Sequence, residues 1–177
     1  MSGSLTVEEK KQRLTAKNKL ASATVLMIVE DEFACLYLRN IFNEILELQN
    51  TVECSTPDEA KKYLEEQAGK NLSCVVCSMY FKDGSTGADF LRFIRSSTYS
   101  SVVVPPFLLM GDNTDAAVQY AFLVKHFAGH ISQSFTPSEF IHTLLEVFSV
   151  RDRRRDQREL AKGSKSNRSF NRLFEGD

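Results

Sequence analysis

The sequence predicts an α/β fold, a doubly wound parallel sheet with helices on both faces. Three observations lead there. Short, continuous apolar runs recur at 24–29 (TVLMIV), 74–77 (CVVC) and 107–110 (FLLM), as suits strands buried on both faces rather than on one. The segments between such runs carry apolar residues at helical spacing. Two of them open on a Thr-Pro-x-Glu signature, at 56–59 and 136–139, in which a hydroxyl N-cap precedes a proline at the first helical position and a glutamate at the third. Strict βα alternation over about 125 residues implies a parallel sheet with right-handed crossovers.

Taken in order, the first strand is 24–29, and Ala34, Leu38, Ile41 and Ile45 then mark a first helix behind the acidic Glu30-Asp31-Glu32. A short, mixed strand at 51–55 leads into the capped helix that should run to about Gln67. The third strand is 74–77, followed by a helix at 88–94 with Phe90, Leu91 and Ile94 on one side. The fourth strand, 107–110, precedes a helix from about Thr114 to His126, and a fifth strand is expected at 129–132. The second capping signature opens a last helix with Phe140, Ile141, Leu144, Leu145 and Phe148 on its core face.

With 177 residues, 42% hydrophobic and 25% charged, the chain is long enough for one well-cored domain with tails. The expected division is a polar extension at 1–22, the domain at 23–150 and a basic extension at 151–177. That last segment is net +4 against net −5 for the rest. No run of about 18 apolar residues occurs, and the first 22 residues are polar and charged, so neither a membrane span nor a secretory signal is expected. A cytoplasmic location fits Cys35, Cys54, Cys74 and Cys77 as free thiols. Cys74 and Cys77 have C-x-x-C spacing, but along a strand their sulfurs point to opposite faces and are core residues rather than a redox or zinc pair.

In a doubly wound sheet ligands sit at the carboxyl ends of the strands, so function is read from Glu30, Asp31, Ser78, Gly111 and Gln133. Three consecutive carboxylates in the first loop would repel a phosphate, and neither G-x-G-x-x-G nor a P-loop occurs. Carboxylate oxygens at that edge suit a hard cation instead. Phe90, Phe93, Phe140 and Phe148 are core by spacing. His126 and His142 have no ligand partners at metal spacing.

Taken together, the acidic pair in IVEDE, the segment DGSTGADFLRFIR after the third strand and SQSFTPSEF after the fifth resemble the receiver domain of two-component response regulators, the CheY-like fold, over residues 24–149. The resemblance implies a flavodoxin-like sheet of order 2-1-3-4-5. It also implies phosphoryl transfer from a histidine to an aspartate at the end of the third strand, assisted by magnesium, by a hydroxyl after the fourth strand and by a lysine after the fifth. Glu30 and Asp31 fall on the family's acidic pair. The acceptor position falls on Ser78, or on Met79 if the loop is aligned without its extra residue. Gly111 stands in place of the hydroxyl, Gln133-Ser134 in place of lysine-proline, and His130 at the aromatic switch position.

Each change removes a separate function. Serine cannot form the mixed anhydride that exchanges with phosphohistidine, and Gln133 brings no cation to the developing charge. Without the proline, a cis Gln133-Ser134 bond would cost about 3 kcal/mol rather than about 1, so it is expected trans. The expectation is a degenerate, phosphorylation-independent receiver: not an enzyme, but an adaptor in two-component signal transduction. No cofactor is expected, Glu30 and Asp31 being a residual and unoccupied metal pair. Asp83 or Asp112 completing a magnesium site is the competing reading, against a solvated turn and a helix start.

A protein partner is expected on the face of the fourth helix, fifth strand and fifth helix, with Gln119, Lys125, His130, Thr143 and Glu146 as its exposed candidates, or on the tail; a homodimer is compatible with either. Arg151, Arg154, Arg155 and Arg158 share one side of the helix continuation. They read either as a solvated extension or as an anion-binding strip, since arginine forks match phosphate oxygens. A subgroup of CheY-like effectors binds cyclic-di-GMP through arginine-rich tails, and R-x-x-x-R occurs here twice, at Arg151/Arg155 and Arg154/Arg158. That ligand is the alternative reading; nucleic acid ranks below it and a membrane is not expected. Beyond Gly163 the Ser/Asn/Lys/Arg composition reads as disorder, with Phe170, Leu173 and Phe174 as a docking motif.

Overall fold

A computed structural model describes residues 5–67, 71–96, 105–111 and 128–172. Five strands, β1 (Thr24–Ile28), β2 (Thr51–Cys54), β3 (Leu72–Ser78), β4 (Phe107–Met110) and β5 (Ala128–Ile131), form one sheet in the order β2-β1-β3-β4-β5. Every pairing is parallel, with Met27 opposite Val76 and Cys77 opposite Leu109. Five helices belong to the described residues: α1 (Val7–Leu20), α2 (Glu32–Asn40), α3 (Pro57–Glu66), α4 (Gly87–Ser96) and α5 (Pro137–Arg172). The helix expected at 114–126, with Asp112, Gln119, Lys125 and His126, lies outside the described residues.

Alternation along the strands divides the core in two. Val25, Met27, Cys74, Val76 and Leu108 face α1, α2 and α5, whereas Leu26, Ile28, Val75, Cys77 and Leu109 face α3 and α4. The two cysteines of C-x-x-C therefore lie on opposite sides of the sheet. Burial pushes the Cys74 thiol up to about 12 and the Cys77 thiol higher still, so both remain protonated and inert. On the first side Phe42 and Phe140 meet edge to face at 5.5 Å. Both capping signatures form as expected. At α5 the Thr136 amide donates to Glu139 Oε2 at 2.7 Å and the Glu139 amide to Thr136 Oγ1 at 3.2 Å. Thr136→Ala should lower stability by about 1 kcal/mol, read as a lower urea midpoint at unchanged slope.

Some boundaries differ from the sequence reading. β3 begins at Leu72 and reaches Ser78, and β5 is shifted one residue toward the amino terminus. α2 is followed by a π-wound turn, Ile41–Ile45. The amino-terminal extension, read only as polar, contains α1, closed by a Thr6/Glu9 capping box and burying Ala16 and Leu20. α1 lies alongside α5 and runs in the same direction: Ser138 Oγ donates to Glu9 at 3.1 Å, and Lys19 pairs with Asp152 at 2.7 Å. Lys17 pairs with Glu47, which holds φ at 53° in the turn before β2. Where composition beyond Gly163 reads as disorder, α5 continues as helix to Arg172. Among the described residues no helix is long and apolar enough to cross a membrane, and no described peptide bond is cis, Gln133-Ser134 included.

Candidate functional site

The loops at the carboxyl edge of the sheet enclose a cleft of about 340 Å3. β1 sends Glu30 and Asp31 into it, and β3 sends Ser78, Met79 and Tyr80. Met110 and Gly111 line it at the end of β4, and Gln133 after β5. The address read from the sequence is thus a single place: five predicted site residues from four separate loops share one cavity.

Both carboxylates have structural work there. Glu30 Oε2 accepts the Lys82 backbone N–H at 3.0 Å and so ties the loop after β1 to the loop after β3. Asp31 caps α2, its Oδ1 accepting from the Ala34 amide at 2.8 Å. Asp83 does not line the cleft. Its carboxylate accepts the Ser85 hydroxyl at 2.6 Å and the Ser85 amide at 2.8 Å, bonds that hold it below the usual carboxylate range. Among the described residues no three His, Cys, Asp or Glu side chains converge as a metal-binding group. A magnesium ion takes near-octahedral oxygen coordination, and the described lining offers it two side-chain carboxylates, both already bonded to backbone. This donor set lacks the carboxylate at the end of β3 that the resemblance implies, where Ser78 stands instead.

Ser78 closes β3 opposite Met110. Its carbonyl lies where Gly87 starts α4, and a Cβ on Gly87 would come within 2.4 Å of that oxygen. Met79, 5% exposed, donates its amide to the Met110 carbonyl at 2.7 Å. The side chain of Met79 fills the space beside Gly111: a Cβ on Gly111 would lie 2.8 Å from Met79 Cβ. At the position where the resemblance expects a hydroxyl, any side chain would have to displace Met79. His130, half-buried on β5, donates from Nε2 to the Gly111 carbonyl at 2.8 Å, while the Gly111 amide bonds to Ile131 at 3.0 Å. Gly111 is therefore fastened to β5 through both its carbonyl and its amide.

Sequence reasoning found the addresses but missed Met79 as the group that excludes a side chain at 111, the hold of Lys82 on Glu30, and the His130 bond. The only signal in the chain was a large Met79 and a bare Gly111 at the ends of adjacent strands.

The arginine strip is divided. Arg151 pairs with Asp152 at 3.3 Å and lies 4.9 Å from the Phe148 ring centroid, with Lys19 5.3 Å from the same ring. Arg154 is half-buried, and Arg155 and Arg158 are exposed. On the candidate partner face Glu146 is exposed, 3.5 Å from His142, whereas His130 and Thr143 are half-buried rather than exposed, Thr143 donating its hydroxyl to the Glu139 carbonyl at 3.0 Å.

No protein-family model matches the sequence, and a comparison with curated proteins found no match. Solved structures are similar in fold. A putative response regulator from Chloroflexus aurantiacus is 14% identical at a TM-score of 0.58, over 72% of this chain and 98% of that one. The receiver domain of the histidine kinase CKI1 from Arabidopsis thaliana, complexed with Mg2+ and BeF3-, is 13% identical at 0.59, over 76% and 95%. The chemotaxis protein CheY4 of Vibrio cholerae is 16% identical at 0.59, over 72% and 99%. The all-parallel sheet of order 2-1-3-4-5 with its helices matches the CheY-like receiver fold, as the sequence predicted.

Proposed function

We propose that this chain is a degenerate receiver that works without phosphorylation, as a cytoplasmic adaptor in two-component signalling that acts through protein contacts and catalyses nothing. The observation that carries the reading is the packing of Met79 against Gly111, which leaves no space at the position where a hydroxyl would meet a phosphoryl group. The other losses point the same way. Ser78 offers a hydroxyl where an exchangeable acyl phosphate needs a carboxylate, and neutral Gln133 cannot offset phosphoryl charge. The bond from His130 to Gly111 supports an end of β4 held in one arrangement, so a partner would meet the same surface there at all times.

Such a module binds no magnesium. In a titration to millimolar Mg2+ followed by amide NMR shifts, the Asp31 resonance should stay flat; a saturating shift there would contradict the reading. A cyclic dinucleotide on Arg151, Arg154, Arg155 and Arg158 ranks second, because Arg151 is already held by Asp152 and Phe148.

A further inference from the structure

Among the described residues, the first half of α2 leaves one apolar side largely uncovered. Phe33 is 84% exposed, Leu36 48% and Tyr37 39%, and their i, i+3, i+4 spacing makes a single stripe. The stripe is held rigid at one end: the Tyr37 hydroxyl donates to the Phe135 carbonyl at 3.1 Å, and the two rings lie 5.4 Å apart. It begins directly beside Glu30, Asp31 and Glu32. A contiguous apolar stripe next to an acidic cluster suits a ligand that is apolar on one side and basic beside it.

The end of this chain has that composition. In sequence, Phe170, Leu173 and Phe174 repeat the i, i+3, i+4 spacing beside Arg168 and Arg172. It cannot reach the stripe within one molecule. α2 starts at the carboxyl edge of the sheet, where Asp31 lines the cleft, whereas α5 starts at that edge and returns antiparallel to the strands. The Lys19 to Asp152 pair ties α5 to α1, and from Arg155 to Leu160 every side chain is exposed. At 1.5 Å per residue, the helix from Arg153 to Arg172 adds about 30 Å, leading away from Phe33.

We propose that the tail of one copy docks on the α2 stripe of another, head to tail, with Phe170, Leu173 and Phe174 against Phe33, Leu36 and Tyr37 and the tail arginines toward Glu30, Asp31 and Glu32. The contact is heterologous, so association proceeds by addition of further copies rather than stopping at a symmetric pair.

Sedimentation velocity on the 177-residue chain tests this, with Phe33→Asp and the triple variant Phe170→Ser, Leu173→Ser, Phe174→Ser alongside. The wild type should associate as concentration rises, less so at high salt, and each variant should weaken association at least ~10-fold. The decisive sample is the mixture. Phe33→Asp keeps a working tail and the triple variant keeps a working stripe, so two proteins that are monomeric alone should form a one-to-one complex together. A wild type monomeric at all concentrations would assign the stripe to a different partner and overturn the proposal. Association that survives either variant, or a mixture that stays monomeric, would overturn it as well.

Discussion

Gly87→Ala should destabilise the protein by about 3 kcal/mol, near the upper end for overpacking a closed site. A Cβ at this position would lie 2.4 Å from the Ser78 carbonyl oxygen and 2.5 Å from Leu109 Cδ2. The leucine methyl can turn aside, but the carbonyl belongs to the end of β3 and has no such freedom. The Gly87 amide also bonds to the Met79 carbonyl at 2.9 Å, so α4 cannot back away without breaking a contact that orients the loop after β3. Urea denaturation should show a lower midpoint with the slope unchanged. An unchanged midpoint would mean that α4 does not rest on β3 as described.

Gly111→Ser should cost about 2 kcal/mol, for a related reason with a functional consequence. Its new Cβ would meet Met79 Cβ at 2.8 Å, and that atom is fixed by a backbone held to Met110. The same substitution in a Met79→Gly background should cost less than half as much, a coupling of about 1 kcal/mol, within the range for residues in contact. Equal costs in the two backgrounds would remove Met79 as the cause. The expected coupling means that a hydroxyl returns to this site by one substitution only at that cost, because Met79 and Gly111 are fitted to each other without it.

The parts of the fold legible in the sequence are those where local chemistry suffices. β3 and β4 stand out because strands buried on both faces are continuously apolar, and α3 and α5 because Thr56 and Thr136 open recognisable caps. Ser78, Gly111 and Gln133 could be placed because a strand end identifies its loop. α1 was not legible, since a helix of 14 residues that buries Ala16 and Leu20 and docks through Glu9, Lys17 and Lys19 shows no apolar stripe. Nor were the contacts that shape the cleft. Met79 and Gly111, or Glu30 and Lys82, are far apart in the chain and meet only because β1, β3 and β4 are neighbours. The tail illustrates the converse: its composition argues for disorder, but it follows directly on a helix already nucleated and packed, and extension from a formed helix avoids the nucleation cost.

The most direct measurement is the intact mass of the protein after incubation with acetyl phosphate and magnesium, followed by peptide mapping. The account predicts an unchanged mass, because β3 ends in a serine, the cleft carboxylates are committed to Lys82 and Ala34, and Met79 excludes a hydroxyl at 111. A stable gain of one phosphoryl group mapped to Ser78, or to a carboxylate of this cleft, would contradict it.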